Sequence, residues 1–203
     1  MTANGFALCY GWPFKNKTVA AFGLCIILLQ GCSEQPKTIA QAICANNASG
    51  LQQLLNSNHD PNELIRDPNF VGPPLVLAVD DPGCGRPINS VEIVSILLAS
   101  GANIDAATPG GRTALMAAVG SNNTDAVKLL VQHNAFVNAQ DADGRTAIMS
   151  VSSNSSVSVV KYLITNGADI NQKTKDGITA LSAARAVNNR AVAEYLLSLH
   201  QPL

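Results

Sequence analysis

Four serines around one asparagine are the closest approach to a catalytic grouping in this sequence. Ser152, Ser153, Ser155 and Ser156 flank Asn154. Catalysis requires a nucleophile, a base or a metal site that converge in one pocket. The sequence contains no G-x-S-x-G elbow, no phosphate-binding loop and no H-E-x-x-H motif. We therefore interpret the serines as a solvated turn between two helices, with a serine hydrolase as the remote alternative, and we expect no catalytic residues.

Histidines and cysteines show no spacing suited to a metal ion. His59, His133 and His200 lie far apart, and the five cysteines include no C-x-x-C pair. Protein zinc sites use cysteine and histidine ligands at close, characteristic spacings. We therefore expect neither a metal nor another cofactor.

The charge pattern argues against nucleic-acid binding. The chain has 13 basic and 14 acidic residues, for a formal net charge of −1, and no run of lysine or arginine. Proteins that bind nucleic acid present a clustered basic surface to the phosphates. We therefore expect no nucleic-acid partner.

The N-terminal segment has the pattern of an export signal. Lys15 and Lys17 precede an apolar run, Thr18–Leu29, of about 12 residues. An apolar stretch of about 7–15 residues after basic residues is typical of such signals, whereas a membrane-spanning helix needs about 20. The run ends in Leu29-Gln30-Gly31-Cys32, which resembles the lipobox of bacterial lipoproteins, although Gln30 is larger than usual at its position.

The lipobox resemblance implies that the chain is cut before Cys32 and that Cys32 carries lipid. It predicts a signal peptide at 1–31, a lipidated cysteine with a short tether at 32–36, and a folded domain at 37–203. Two or more acyl chains anchor a protein stably where one does not. Because Ser33 follows the cysteine, we favour the outer over the inner membrane of a bacterial envelope, with the domain facing the periplasm.

The rest of the chain repeats every 33 residues. Gly111–Leu115 recurs as Gly144–Ile148 and again as Gly177–Leu181. A closing phrase has the same period and occurs at Gly101–Asp105, Asn134–Asn138 and Gly167–Asn171. Between the two phrases, apolar residues recur at spacings of three and four, which is typical of one face of a helix.

These phrases resemble the ankyrin repeat, with its G-x-T-P-L-H-x-A-A opening and its L-L-x-x-G-A-D-x-N close. The resemblance implies an all-α solenoid of about five helix–turn–helix repeats with short β-hairpin loops, which binds other proteins. The predicted repeats are 37–62, 63–105, 106–138, 139–171 and 172–203.

The repeats depart from the ankyrin pattern where their first helices begin. Alanine replaces the usual proline, but the preceding threonine remains at Thr113, Thr146 and Thr179. We expect each threonine still to cap its helix by accepting a hydrogen bond from the backbone. The hairpin glycines for which we predict a positive φ are Gly111, Gly144 and Gly177.

The resemblance also implies where a partner binds. In ankyrin proteins, hairpin tips and the ends of the first helices line a concave face that meets the partner. The corresponding positions here are Asp80, Asp81, Arg112, Asp143, Arg145, Asn154, Lys175 and Asp176. Arg112 and Arg145 occupy equivalent positions, so their guanidinium groups should project side by side. The alternative is that both are ordinary exposed consensus residues that contact no partner.

Two cysteines, Cys44 and Cys84, remain once the signal is removed and Cys32 is acylated. The periplasm is oxidising, so an even number of remaining cysteines favours a disulfide bond between them. Cys44 aligns with the end of the first helix of its repeat, and Cys84 lies just beyond the equivalent point in the next, so a bridge within the required Cα distance of about 7 Å is feasible. The alternative is a buried Cys44 and an exposed free thiol at Cys84.

Taken together, these patterns predict a monomeric, non-enzymatic protein-binding module that is tethered to a membrane through Cys32. Known uses of such repeats suggest an immunity or inhibitor protein against a periplasmic toxin such as a phospholipase. The alternative is an accessory protein that supports an envelope enzyme, for example in oxidative defence.

Lipidation of Cys32 is directly testable. Cys32→Ala should abolish processing and acylation, because the sulfur is the site of lipid attachment, and should leave a larger precursor. Mass spectrometry of the purified protein measures both changes. A wild-type protein that begins at Ser33 or beyond and carries no lipid would contradict the lipobox interpretation.

Overall fold

The computed structural model describes residues 35–80 and 90–199 of the chain. The predicted signal peptide, the predicted lipidation site Cys32, the predicted contact residue Asp81 and Cys84 of the predicted disulfide lie outside the described residues. No helix among the described residues is long and apolar enough to cross a membrane.

Helices dominate the described part of the chain and occur in pairs. The first helices are α1 (Ile39–Cys44), α3 (Pro74–Val79), α5 (Ala114–Gly120), a 3₁₀ helix (Ala147–Ser150) and α8 (Ala180–Ala186). The second helices are α2 (Ala48–Asn56), α4 (Ser90–Ala99), α6 (Thr124–Gln132), α7 (Val157–Thr165) and α9 (Arg190–Ser198). Strands β1 (Ile65–Asp67) and β2 (Phe70–Gly72) form an antiparallel hairpin in which Ile65 lies opposite Gly72.

The helix pairs stack in chain order. Each first helix packs on the next first helix, from α1 through α3, α5 and the 3₁₀ helix to α8. The second helices form a parallel series from α2 through α4, α6 and α7 to α9. The predicted all-α solenoid of about five repeats is confirmed.

The first helices carry most of the core. Every residue of α3, Pro74–Val79, is buried, as are residues Ala114–Val119 of α5. These helices are apolar on all sides because each is covered by a repeat on either side and by its own second helix. In α8, the last first helix, Leu181 and Ala183 are only half-buried, as expected at the end of a stack.

Asparagine begins the second helix in three of the repeats. Asn47, Asn123 and Asn189 each accept a hydrogen bond from the backbone N–H three residues later. Asparagine is among the strongest helix N-caps because its short side chain reaches an unpaired N–H. The sequence therefore marks these helix starts locally.

Backbone hydrogen bonds join the hairpin loops of neighbouring repeats. The N–H of Ala142 donates to the Gly110 carbonyl at 3.0 Å, and that of Lys175 donates to the Asp143 carbonyl at 3.0 Å. Within the loops, Asp141 N–H donates to the Arg145 carbonyl at 2.9 Å. Regular strands occur only in the β1–β2 hairpin among the described residues, so the other loops are tight turns rather than long hairpins.

A second set of inter-repeat bonds uses the closing phrase of each repeat. The side-chain oxygen of Asn62 accepts from Asn103 N–H, that of Asp105 from Phe136 N–H, and that of Asn138 from Asp169 N–H. These bonds are 2.7–2.9 Å long. Asp105 and Asn138 are one 33-residue period apart, and Asn62 holds the corresponding place before the longer second repeat, so side chains of the closing phrases bond to the next repeat at three successive junctions.

Two hairpin glycines allow a matched test of the contacts between neighbouring hairpin loops, which we call the tip contacts. Gly111 and Gly177 both have the predicted positive φ, at 80° and 77°. A Cβ at Gly111 would lie 2.8 Å from the backbone nitrogen of Ala142, whereas a Cβ at Gly177 would meet nothing within 4 Å.

We expect Gly111→Ala to lower the free energy of unfolding by at least about 1 kcal/mol more than Gly177→Ala. Both substitutions incur the strain of positive φ, about 1–2 kcal/mol, but only Gly111→Ala also clashes with the neighbouring repeat. Urea denaturation of both variants measures the difference. Equal losses would mean that the tip contacts contribute nothing to the stack.

Candidate functional site

The candidate site is the surface that we call the hairpin face. It comprises the hairpin residues 108–112, 141–145 and 174–178 together with the C-terminal ends of the first helices. One ion pair crosses it: Nη1 of Arg112 lies 2.9 Å from a carboxylate oxygen of Asp80 in the preceding repeat. The two side chains are 43% and 24% exposed, and partly solvated pairs of this kind stabilise a protein by about 1 kcal/mol or less.

The shape of α5 makes room for Arg112. Gly120, at the C-terminal end of α5, has no side chain, and a Cβ there would lie 3.3 Å from Nη2 of Arg112. The guanidinium group therefore lies across the end of its own first helix while it pairs with Asp80.

Arg145 occupies the equivalent position but a different environment. Its side chain is exposed and makes no ion pair or hydrogen bond with any described residue. In the preceding repeat, the position equivalent to Asp80 is Gly120, which offers no carboxylate. Arg112 and Arg145 therefore differ in their pairing, because Arg112 has an ion-pair partner and Arg145 has none among the described residues. That their guanidinium groups project side by side stays a prediction.

The other predicted partner-binding residues also lie on or beside the hairpin face. Asp143, Asn154, Lys175 and Asp176 are all exposed. The Lys175 ammonium group donates to the Ala142 carbonyl of the neighbouring hairpin. Nothing in the structure tests whether these residues contact a partner, so their assignment stays a prediction.

The serine cluster forms a hydrogen-bonded turn. Ser152 N–H donates to Oγ of Ser155 at 2.8 Å, and the Ser152 hydroxyl donates to Oδ1 of Asn154 at 2.8 Å. Oγ of Ser155 lies 3.5 Å from the Val119 carbonyl of the previous repeat. Nδ2 of Asn189 donates to the carbonyls of both Ser152 and Ser155 at 2.9 Å. These contacts link the turn to repeat three through Val119 and to repeat five through Asn189.

The turn shortens the first helix of repeat four. In place of the seven-residue helices α5 and α8, the chain forms a 3₁₀ helix of four residues that ends at Ser150. Serine and asparagine favour turns over helices because their side chains compete for backbone hydrogen bonds. Val151, which follows Ser150, has extended backbone geometry (φ −58°, ψ 142°).

The shortened helix overturns one expectation. Thr113 and Thr179 cap their helices as predicted, through Met116 N–H at 3.3 Å and Ser182 N–H at 3.2 Å. Thr146 forms no cap, and its hydroxyl oxygen is buried without a partner. A 3₁₀ helix directs its first N–H groups differently from an α-helix, so the same residue loses its bond.

A pocket of about 210 Å³ lies beside the shortened helix, between repeats four and five. Most of its lining residues are apolar, including Met149, Val151, Ile178 and Val187, and Arg145 and Ser150 are its polar lining residues. The repeat alignment placed Arg145 at a contact position. It did not indicate Met149 and Val151, because the early end of the first helix, beside which they line the pocket, is not part of the repeat pattern.

Comparison with known families agrees with this architecture. A family model for ankyrin repeats in three copies matches residues 39–141 and again 136–202. The chain belongs to the ankyrin-repeat family. Curated proteins yield no significant match.

Membership of the ankyrin family indicates a protein–protein interaction module. The family is typically non-enzymatic. Side-chain chemistry on the hairpin face suits such a role, since it offers exposed charges of both signs and an apolar pocket rather than a convergent set of titratable groups.

The two histidines that the structure describes, His59 and His133, contact backbone carbonyls of their own second helices. Nδ1 of His59 lies 3.0 Å from the Leu54 carbonyl, and Nδ1 of His133 lies 2.9 Å from the Leu129 carbonyl. Among the described residues, no three histidine, cysteine or acidic side chains are grouped so that they could hold a metal ion.

Cys44 forms a disulfide bond. The other cysteines, Cys9, Cys25, Cys32 and Cys84, lie outside the described residues. Pairing of Cys44 with Cys84 therefore stays a prediction.

The two threonine environments predict opposite effects of the same substitution. Thr113→Val should lower the free energy of unfolding by about 1 kcal/mol, because it removes a helix cap. Thr146→Val should be neutral or stabilising, because it replaces a buried hydroxyl that has no partner with a methyl group of similar size. Thermal or urea denaturation of both variants tests this contrast. A loss at Thr146 as large as that at Thr113 would contradict the unpaired hydroxyl.

Proposed function

We propose that this chain is a non-enzymatic protein-binding module, tethered by lipidated Cys32 to a bacterial envelope membrane, whose hairpin face holds a partner protein in the periplasm. The observation that carries the proposal is the combination of a rigid backbone and uncommitted side chains on this face. Backbone hydrogen bonds join the hairpins, as from Ala142 to Gly110, and the Lys175 side chain adds a bond to the Ala142 carbonyl. Arg145, Asp143 and Asp176 remain exposed.

Rigidity of this kind favours binding. Ordering a flexible loop costs roughly 0.5–1.5 kcal/mol for each immobilised side chain. Hairpins that are already bonded to their neighbours avoid part of that cost when a partner binds. The alternating charges of Asp143, Arg145, Lys175 and Asp176 then give orientation and specificity rather than bulk affinity.

The tether is supported by the N-terminal sequence. The proposed linker between Cys32 and the first repeat has about five residues, which span at most about 18 Å when fully extended. The first repeat would consequently lie close to the bilayer surface, with the later repeats projecting from it. We place the protein on the outer membrane because Ser33 follows the cysteine.

The specific role we propose is that of an immunity or inhibitor protein for a periplasmic toxin. An inhibitor acts by occlusion, which requires only a binding surface and the right location. The accessory role toward an envelope enzyme uses the same surface, and identification of the partner distinguishes the two.

A charge-matched pair of double variants tests the hairpin face. Once a partner has been identified by pull-down from envelope extract with the processed protein, Arg112→Ala with Arg145→Ala should weaken its binding by at least 1–2 kcal/mol, the usual scale for interface arginines. Isothermal titration calorimetry measures the affinities. Thermal stability should change little, because the Arg112–Asp80 pair is partly solvated.

The control is Lys128→Ala with Lys161→Ala on the second helices. Both lysines are exposed. Nζ of Lys161 lies 5.1 Å from the ring centre of Tyr195, and loss of this contact would affect stability. Melting temperatures are therefore recorded for both double variants. Binding that depends on the lysines and is indifferent to the arginines would place the partner on the opposite side of the stack.

A further inference from the structure

The pocket beside the 3₁₀ helix is a departure from the repeat that nothing in the stack requires. In repeats three and five the first helix continues for seven residues, as in Ala180–Ala186. In repeat four it ends after Ser150, and the serine turn that follows is held by bonds to Asn189. The pocket lies beside this turn and is lined in part by Met149, Ser150 and Val151.

The size of this pocket limits what it can hold. Sites that enclose a whole small molecule measure about 300–1,000 Å³, whereas this pocket measures about 210 Å³. It is therefore suited to a side chain of a larger partner. Its apolar lining, with Met149, Val151 and Val187, favours an aliphatic or methionine side chain because burial of such a group releases water from both surfaces.

The positive charge of Arg145 sets a second requirement for a partner that binds at the pocket. Arg145 belongs to the lining and is the hairpin-face arginine that lacks the carboxylate available to Arg112. On its own hairpin, Asp141 is held to the backbone, since its Oδ1 accepts from the N–H groups of Arg145 and Asp143 at 2.8 and 2.9 Å. The exposed carboxylate of Asp143 forms no ion pair with Arg145. An arginine beside an apolar pocket is complementary to a carboxylate next to an apolar side chain.

We propose that this pocket is the specificity site of the hairpin face, and that it takes an aliphatic side chain of a partner protein whose neighbouring aspartate or glutamate pairs with Arg145. The proposal rests on the protein-binding function proposed above and names the chemistry of the partner. The Arg112–Asp80 pair lies at the equivalent position one repeat earlier, and it shows within this chain the contact that the partner's carboxylate would reproduce at Arg145.

The test uses a phage-displayed random peptide library selected against the processed full-length protein. Enriched peptides should contain aspartate or glutamate next to leucine, isoleucine, valine or methionine. Their affinities are then measured by fluorescence anisotropy on the wild type and on variants. Arg145→Gln should weaken binding about tenfold or more, which corresponds to about 1.4 kcal/mol. Replacing the peptide's acidic residue with its amide should weaken binding to the wild type but have little further effect on Arg145→Gln.

Two further variants separate the pocket from the charge. Ala183→Leu and Ala183→Phe fill the pocket, because Ala183 belongs to its lining and is only half-buried, and both leave Arg145 in place. Either variant that retains the wild-type melting temperature should lose peptide binding. Lys128→Gln removes one positive charge from the exposed side of α6 and should leave binding unchanged.

The possible outcomes separate this inference from the broader function. Peptides that bind the hairpin face, but are weakened by Arg112→Gln and not by Arg145→Gln, would overturn the pocket proposal and leave the binding function standing. Peptides that are insensitive to every hairpin-face variant, or selected peptides without an acidic residue, would also overturn it. Failure to enrich any peptide would count against the pocket, whereas capture of a partner that is sensitive to the arginine double variant would still support the function.

Discussion

The burial of each first helix between neighbouring repeats is the constraint on which the rest of the structure depends. Helices of six or seven residues, such as α3 and α5, do not persist alone in water because nucleation costs more than so few hydrogen bonds return. They are stable here because repeats on both sides cover them, and Pro74–Val79 is buried along its whole length. Every repeat therefore depends on its neighbours, and stability is shared along the stack.

Polar bonds between repeats set the register of that stack without occupying the binding surface. At the hairpins the bonds run between backbone groups, as from Lys175 N–H to the Asp143 carbonyl. At the closing phrases they use Asn62, Asp105 and Asn138, away from the hairpins. Two hairpin side chains also bond across repeats, since Arg112 pairs with Asp80 and Lys175 donates to the Ala142 carbonyl. The side chains of Asp143, Arg145 and Asp176 make no such bond with a described residue and can vary with the partner.

Repeat four shows how far a repeat can depart from its pattern while the stack survives. The serine turn replaces part of a helix, yet Ile148 and Met149 remain buried and preserve the apolar contacts to both neighbours. Within the turn, Asn189 of the next repeat donates hydrogen bonds to the carbonyls of Ser152 and Ser155. Loss of the Thr146 cap leaves one buried hydroxyl unpaired, a local cost that the surrounding packing tolerates.

The amino-acid sequence by itself determined the repeat period, the helix pairs, the helix caps at Thr113 and Thr179 and the glycines with positive φ, because each depends on local geometry and apolar spacing. The sequence also placed Arg112 and Arg145 at equivalent positions. Only the tertiary structure decided that they differ, since the partner of Arg112 is Asp80, a residue of the preceding repeat, and the matching position before Arg145 is a glycine. The pattern of a single repeat did not indicate the pocket either. The pocket lies beside a turn that replaces part of a helix, and that turn is stabilised by Asn189, a residue of the next repeat. Contacts between repeats depend on side chains that lie about 30–40 positions apart in the chain, and a pattern read along one repeat does not contain them.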